Sequence, residues 1–257
     1  MPSWDPDVYE RFKTYRDRPA LDLLLQVPTD LDPVEIWDLG CGTGEHAAVL
    51  AARHPRARVH GLDSSPDMLE RARQRAADVD WVPADLTAFS PPASVDLIFT
   101  NAALQWAPDH AGLIPRLASH LAAEGVFACQ MPAAHDAPWH RALRELAGEA
   151  AWAERFSSVV GSRPIADAEQ YYGWLSPTCR QIDIWTTTYL HVLEGPDPAV
   201  EWMRGTALRP YLDALMDASE REAFLEAYRQ RVRDVLPPRD DGTTLFPFPR
   251  LFILARR

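Results

Sequence analysis

The sequence predicts an α/β fold built on a parallel β-sheet. In the first 131 residues, short apolar segments alternate with amphipathic helical segments, which is the pattern of βαβ units. A glycine-rich segment directly follows the first apolar run. The chain has 257 residues, of which 47% are hydrophobic and 25% charged, so it can bury a large core without disulfides or metals. We therefore expect a sheet with helices on both faces.

The elements of the first half follow in order. The first predicted strand is Val34–Leu39, and a helix follows over Ala47–Arg53. The second strand is Arg58–Leu62, after which Ser65 and Pro66 supply a helix cap and a first helical residue. Three further strands are predicted at Asp80–Pro83, Val95–Thr100 and Gly125–Met131. Between the last two of these strands lies an amphipathic helix, marked by Leu113, Ile114, Leu117 and Leu121.

The pattern changes after residue 131. Residues 136–174 are rich in Ala, Trp and Tyr and are expected to be helical or irregular, and Gln181–His191 is predicted to form a long strand. Ser219 with Glu222 predicts a capping box that begins a helix. Leu251–Ala255 is the last predicted strand. We predict one domain over residues 1–257. Its core comprises about residues 30–135, 180–192 and 247–257, and its helical lid and acceptor segments about 1–28, 136–175 and 193–244.

Charge and composition exclude several classes of function. With 26 basic and 37 acidic residues the net charge is −11, which repels nucleic-acid backbones and anionic membranes. The first residues lack the basic and apolar regions of a signal peptide, so none is expected, and no apolar run is long enough for a membrane span. Cys41, Cys129 and Cys179 have no CxxC spacing, and His135 and His140 lack the spacing of a zinc pair. We expect a cytoplasmic protein without a metal, and a monomer is compatible with the sequence.

The strongest local signal is the segment from Asp38 to Gly44, which has glycines at positions 40, 42 and 44. Such glycines let the backbone approach a ligand and leave helix N-terminal amides free. The dinucleotide-binding fingerprint requires a third glycine at position 45, where this chain has Glu45. The phosphate-loop signature is absent because no Gly-Lys-Ser/Thr follows. The loop therefore predicts a different ligand.

Polar residues follow three other strands. Asp63 ends the second strand, where a carboxylate can accept both hydroxyls of a ribose. Asp85 follows the third strand and can accept from an adenine amino group, with a turn-forming role as the alternative. Asn101 follows the fourth strand. Because open α/β sheets bind ligands at the carboxyl ends of their strands, these residues together predict a nucleoside site.

This pattern resembles the class I S-adenosylmethionine-dependent methyltransferases. The resemblance rests on Asp38–Gly44, Asp63, Ala84-Asp85-Leu86 and the strand Val95–Thr100. It implies a Rossmann-like, seven-stranded, mostly parallel sheet whose last strand is antiparallel. It also implies that the glycine loop borders the methionine part of the cofactor, Asp63 the ribose and Asp85 the adenine. The implied cofactor-binding residues are Asp38, Gly40, Gly42, Gly44, Asp63, Ser64, Met68, Asp85, Leu86 and Asn101.

A closer resemblance, to trans-aconitate methyltransferases, extends along nearly the whole chain. The family usually has proline where Thr43 stands, and residues 133–165 match poorly. The resemblance implies methylation of a small polycarboxylic acid, with trans-aconitate as the best single substrate and S-adenosylhomocysteine as the second product. It selects Arg18, Tyr172, Arg209 and Arg250 as substrate-binding residues, although each arginine is equally typical of a surface ion pair. The matching segments include Trp4-Asp5-Pro6 with Tyr9, Leu104-Gln105-Trp106, Gln130-Met131-Pro132, Tyr171-Tyr172, Leu208-Arg209-Pro210 and Phe248–Ile253.

No catalytic base is predicted, because the carboxylate of such an acceptor is already an anionic nucleophile at neutral pH. Two other functions stay open. One is a methyltransferase for a different acceptor, such as a malonyl group on a carrier protein, although an acidic chain is poorly suited to dock an acidic carrier. The other is a cofactor-binding module without catalysis.

Overall fold

A computed structural model describes residues 13–159 and 164–257. Seven strands form one sheet in the order β3-β2-β1-β4-β5-β7-β6. Strands β1 to β5 pair in parallel, and β7 pairs antiparallel with β5. This confirms the predicted α/β fold with a seven-stranded, mostly parallel sheet. The strands are β1 Glu35–Leu39, β2 Arg58–Asp63, β3 Val79–Pro83, β4 Val95–Asn101, β5 Leu121–Pro132, β6 Gln181–Glu194 and β7 Thr243–Arg256.

The helices in the described part of the chain are α1 Lys13–Gln26, α2 Glu45–Arg53, α3 Pro66–Arg75, α4 His110–Ser119, α5 Pro138–Ala147, α6 Ala168–Leu175, α7 Pro198–Arg204, α8 Arg209–Ala214 and α9 Ala218–Val235. Short 3₁₀ turns cover Leu86–Ala88 and Leu104–Trp106. Helix α3 begins as predicted, with Pro66 first and the Ser65 hydroxyl accepting from the amide of Met68 at 3.4 Å.

The capping box predicted at Ser219 is wrong. The N-cap of α9 is Asp217, whose Oδ1 accepts from the amides of Ser219 and Glu220 at 2.8 and 3.0 Å. A carboxylate there satisfies two unpaired amides and interacts favourably with the positive end of the helix dipole. The helix therefore begins earlier, and Ser219 lies in its first turn.

The chain groups into two compact units. The sheet unit comprises residues 18–132, 165–187 and 250–257. The helical unit comprises, of the described residues, 13–17, 133–159, 164 and 188–249. The earlier expectation of a single domain with inserted helical segments stays a prediction. Residues 4–9, which carry part of the resemblance, lie outside the described residues, and the predicted lid segment 1–28 is described only from residue 13.

Each unit has its own apolar interior. In the sheet unit, Ile36, Phe99 and Phe127 are completely buried in neighbouring strands. In the helical unit, α5 packs against α9, and the hydroxyl of Tyr228 donates to the carbonyl of Trp139 at 3.3 Å. Complete burial of an isoleucine or phenylalanine side chain, as in the sheet unit, contributes about 1.5–3 kcal/mol.

Three further observations concern membrane spans, metal ions and cysteines in the described part of the chain. None of the helices described has both the length and the apolar character needed to cross a bilayer. Across residues 13–159 and 164–257, no three acidic, histidine or cysteine side chains form a group that could hold a metal ion. The three cysteines are free and buried, and burial raises the pKa of the Cys41 and Cys129 thiols well above the ordinary value. Burial therefore disfavours the thiolate form of these two cysteines.

Candidate functional site

Strand register places polar side chains on one face of the sheet at its carboxyl edge. Asp38 of β1 is in register with Gly61 of β2 and with Phe99 of β4. Phe99 is in register with Ala128 of β5. Because alternate residues of a strand point to the same face, residues two positions further along these strands share the face of Asp38. The residues so placed are Asp63, Asn101 and Gln130.

This edge contains the switch point of the sheet. Strand β1 lies between β2 and β4, with β3 beyond β2 and β5 beyond β4. The chain runs outward from β1 through β2 to β3 and then crosses back to β4 on the other side of β1. Open α/β sheets bind ligands in the crevice that this reversal creates. The glycine loop predicted from the sequence begins at this point, directly after Leu39.

Two glycines of the loop have different surroundings. Both have left-handed backbones, with φ of 73° at Gly40 and 56° at Gly42. A Cβ at Gly40 would lie 2.3 Å from the Cβ of Ala103, so this position is closed by packing. A Cβ at Gly42 would meet no described atom within 4 Å. The loop therefore has an open side at Gly42, where a ligand can approach the backbone.

The carboxylate of Asp63 is tied to the same loop. Its Oδ2 accepts from the amide of Gly42 at 2.9 Å, and its Oδ1 accepts from the amide of Ser65 at 2.8 Å. Each carboxylate oxygen can accept two hydrogen bonds, so each keeps one acceptor position. The side chain is only partly buried. This arrangement suits a neighbouring pair of hydroxyl donors.

Asp38 is buried at 1% exposure, and its Oδ2 has no hydrogen-bond partner in the described part of the chain. Burial, and secondarily the charge of Asp63, raises the pKa of Asp38 to about 8. The carboxyl group accepts from the backbone of Ala47, but a buried oxygen left without a partner is costly unless a ligand supplies a donor or a positive charge. Asp38 is therefore suited to an ammonium group or another donor in the crevice.

Asp85 caps the 3₁₀ turn after β3. Its Oδ1 accepts from the hydroxyl and the amide of Thr87, at 2.6 and 2.7 Å, and these bonds lower the pKa of Asp85 below its usual value. The turn-forming role that the sequence left open is present, and it uses one of the two oxygens. Of the neighbouring candidates, Ser64 is exposed, whereas Met68 and Leu86 are partly buried.

The end of β4 and the turn that follows it add amide groups to this edge. The Oδ1 of Asn101 is buried and accepts no hydrogen bond from the residues described. Ala102 has φ of 51°, a left-handed conformation that is unusual for alanine. Gln105 donates from Nε2 to the carbonyl of Ala102 at 2.6 Å, while its Oε1 is buried without a described partner.

Sequence reasoning did not select Gln105 or Gln130 as site residues. A signal for Gln130 exists: it is the one polar side chain in residues 125–131, all of which are buried. The corresponding signal for Gln105 is weaker, because a glutamine in a 3₁₀ turn is commonly solvated.

Known proteins resemble this chain over its whole length. A family described as a methyltransferase domain matches residues 36–125. A trans-aconitate 2-methyltransferase from Azoarcus sp. is 49% identical over the whole of both chains. One from Methylobacterium nodulans is 46% identical over 100% of this chain and 99% of its own. The chain belongs to the trans-aconitate 2-methyltransferase family. The predicted family is thereby confirmed.

Solved structures agree on the fold of this family member. The YcgJ protein of Bacillus subtilis has a TM-score of 0.62 at 17% identity, over 93% of this chain and 98% of its own. The plantazolicin methyltransferase BpumL, solved in complex with S-adenosylhomocysteine, has a TM-score of 0.53 at 15% identity. That match covers 98% of this chain and 88% of the other.

The four substrate-binding candidates of this methyltransferase family member are divided between the two units. Arg18, Tyr172 and Arg250 belong to the sheet unit, and Arg209 belongs to the helical unit. Arg18 is exposed and pairs with Asp22 at 3.7 Å, and Tyr172 is 56% exposed.

The two remaining arginines are less accessible. Arg209 is partly buried and pairs with Asp213 at 3.5 Å. Arg250 is 4% exposed, the one buried arginine among the residues described, and lies opposite Pro132 at the end of β5. The assignment of all four to the acceptor stays a prediction.

Proposed function

We propose that this chain transfers a methyl group from S-adenosylmethionine to a carboxylate of trans-aconitate. The products are the monomethyl ester and S-adenosylhomocysteine. The observation that carries the proposal is the extent of the identity to the named relatives, which covers the whole chain and so includes the helical unit. Cofactor motifs at a sheet edge are shared by methyltransferases of many acceptor specificities, whereas full-length identity includes the residues that bind the acceptor.

The residues at the sheet edge fit S-adenosylmethionine. Asp63 offers two acceptor positions to the ribose hydroxyls, and Asp85 offers an oxygen to the adenine amino group. Asp38 and the open backbone at Gly42 suit the methionine part, whose ammonium group supplies a donor to the unpartnered Oδ2 of Asp38. Glu45 at the start of α2 is paired with Arg75 at 3.1 Å, so it adds no net charge. Asp63 and Asp85 give this edge negative charge, which favours a cationic ligand over one that carries a phosphate.

When bound, S-adenosylmethionine supplies an electrophilic methyl group on a cationic sulfonium. The acceptor carboxylic acid has a pKa of about 4 and is an anion at neutral pH, so no side chain has to remove a proton. The task of the chain is to hold the acceptor oxygen in line with the methyl group and to exclude water. Arginine pairs are suited to the non-reacting carboxylates, because a guanidinium binds a planar carboxylate through two parallel hydrogen bonds.

His110 is the histidine closest in sequence to the edge residues after β4, and its ring nitrogens are already occupied. Nε2 lies 2.8 Å from the carbonyl of Leu104, so it carries the proton and donates. Nδ1 therefore accepts from the hydroxyl of Tyr171, at 2.6 Å. His110 and Tyr171 thereby hold the Leu104–Trp106 turn in place. This is a positioning role and not a proton-transfer role.

A labelled-methyl transfer assay tests the proposal. The chain is incubated with methyl-labelled S-adenosylmethionine and a panel of di- and tricarboxylates, with a malonyl-loaded carrier protein as a further acceptor. We expect the label in a monomethyl ester of trans-aconitate. Transfer only to the carrier would instead support the alternative acceptor. Binding of S-adenosylhomocysteine without transfer to any acceptor would support a non-catalytic module.

A further inference from the structure

We propose that Gln130 is a substrate-positioning residue whose side-chain amide donates a hydrogen bond to the carboxylate that is methylated. The inference rests on the proposed carboxylate methylation and assigns one residue of its acceptor site. Its starting observation is an amide donor that the fold buries and leaves without a partner.

Gln130 is 1% exposed and lies near the end of β5, between Cys129 and Met131, which are both fully buried. Its Nε2 is buried and donates to no acceptor within the described ranges. Leaving a buried N–H unpaired costs free energy, and native proteins pair the large majority of such groups. A long amide side chain in an otherwise apolar stretch therefore indicates that its partner is a ligand.

Strand order places this donor on the acceptor side of the crevice. The proposed adenine, ribose and methionine contacts lie at Asp85, Asp63 and Asp38, which follow or end β3, β2 and β1 in that order across the sheet. The next strands in the same direction are β4 and β5. A cofactor held by Asp85, Asp63 and Asp38 in this order would bring its reactive end to the side of β4 and β5, where Gln130 shares the face of Asp38.

The backbone around Gln130 is fixed. Its carbonyl accepts from the amide of Ala102 at 2.9 Å, which anchors the left-handed turn after β4 to β5. Asn101 is its register partner, and the unpaired Oδ1 of Asn101 is an acceptor, whereas the unpaired Nε2 of Gln130 is a donor. The two atoms are not hydrogen-bonded to each other. A cationic cofactor and an anionic acceptor, bound side by side, would satisfy them separately.

A neutral donor suits the reacting carboxylate. A guanidinium would withdraw charge from the nucleophile, whereas an amide N–H orients it with a weaker interaction. In the transfer, the attacking oxygen forms the new O–CH3 bond as the C–S bond breaks, and that bonding pair goes to sulfur. The other oxygen becomes the ester carbonyl. It accepts from Gln130 in the acid and in the ester alike, so the hydrogen bond contributes mainly to binding.

Gln130→Met tests the assignment, because methionine is similar in length and removes the donor. We expect the KM for trans-aconitate to rise about tenfold or more, since the lost bond is to a charged group, while kcat changes much less. The Kd of S-adenosylhomocysteine should be unchanged. The Tm of the ligand-free protein should stay the same or rise, because an unpaired buried donor has been removed. Gln181→Met, at an exposed strand position, is the matched control and should change none of these values.

Three results would overturn the assignment. One is an unchanged KM in a variant that is active. Another is a weaker Kd for S-adenosylhomocysteine, which would place Gln130 in the cofactor site. The third is a lower Tm with unaltered kinetics, which would make Gln130 a structural residue. If Gln130→Met does not fold, Gln130→Leu is measured in its place.

Failure of the proposed function is seen separately, in the unmodified chain. If that chain methylates a different carboxylate, the same comparison is made with that acid. If it methylates no carboxylate, the assignment of Gln130 falls with the proposed function.

Discussion

The carboxylate of Asp63, at the end of β2, accepts a hydrogen bond from the backbone amide of Gly42 at 2.9 Å. The residue proposed to hold the ribose therefore also holds the loop proposed to border the methionine. Replacing Asp63 should therefore weaken cofactor binding in two ways, by removing the ribose contact and by loosening the glycine loop.

Asp63→Ala should weaken S-adenosylhomocysteine binding at least tenfold, because a hydrogen bond to a charged group contributes about 1.5–3 kcal/mol and about 1.4 kcal/mol is a factor of ten. Asp85→Ala should have a smaller effect, since Asp85 is exposed and Thr87 already uses its Oδ1. Calorimetric titration of both variants measures the difference. Unaltered affinity in Asp63→Ala would remove the ribose assignment.

Alanine substitutions at Gly40 and Gly42 should differ in their effects on the stability of the fold and on ligand binding. Gly40→Ala should lower the free energy of unfolding by more than about 2 kcal/mol, because it combines a left-handed backbone with a contact of 2.3 Å to Ala103. Gly42→Ala carries only the backbone cost of about 1–2 kcal/mol, since its Cβ meets open space. That open space is where the ligand should lie, so Gly42→Ala should weaken S-adenosylhomocysteine binding. Urea denaturation and calorimetry give the two values, and equal losses of stability would contradict the distinction.

The raised pKa of Asp38 should make stability depend on pH. Burial holds this pKa at about 8 in the folded chain, against about 3.9 in an unfolded one. Between these values the folded state retains a proton that the unfolded state releases, so stability falls as pH rises from about 4 to 8.

Asp38→Asn removes this contribution. Relative to the unmodified chain, the variant should gain stability as the pH is raised from 5 to 8. Urea denaturation at the two pH values, without ligand, measures the change. A constant difference between the two proteins would show that Asp38 titrates normally.

Much of the sheet could be predicted from sequence because its strands are short apolar runs bounded by turn residues. The end of the chain was predicted less well. Strand β7 begins at Thr243 and not at Leu251, and its first part contains Pro247 and Pro249. Prolines argue against a central strand because they cannot donate to a ladder. Here the register of β7 with β5 begins at Arg250, after the prolines.

The candidate site was predictable where one residue type has one role, as in the glycine loop and Asp63. It was not predictable where the role depends on burial. Gln130 is visible in the sequence as a polar residue in an apolar run, but a sequence does not show that the fold leaves its amide unpaired. Similarly, every basic residue except Lys13 is an arginine, so composition could not single out Arg250, which the fold buries.

Acceptor binding should depend on arginine. Arg209→Met should raise the KM for trans-aconitate and leave the Kd of S-adenosylhomocysteine unchanged, because a guanidinium pairs with a carboxylate and the cofactor contacts lie in the other unit. Arg204→Met, an exposed arginine that pairs with Glu201, is a matched control in the helical unit. If single replacements of Arg18, Arg209 and Arg250 all leave KM unaltered, the acceptor is bound elsewhere.

The pH profile of kcat tests the absence of a general base. At saturating concentrations of both substrates, kcat should be flat from about pH 6.5 to 9, because the acceptor, with a pKa of about 4, is fully ionised and no proton moves in the transfer. His110 supports this expectation, since one ring nitrogen donates to Leu104 and the other accepts from Tyr171. His110→Asn should therefore alter kcat through the position of the Leu104–Trp106 turn, by a factor that is the same at every pH. A change in kcat with a midpoint near pH 6.5 that disappears when one histidine is replaced would contradict the mechanism. It would show that the acceptor must first be deprotonated.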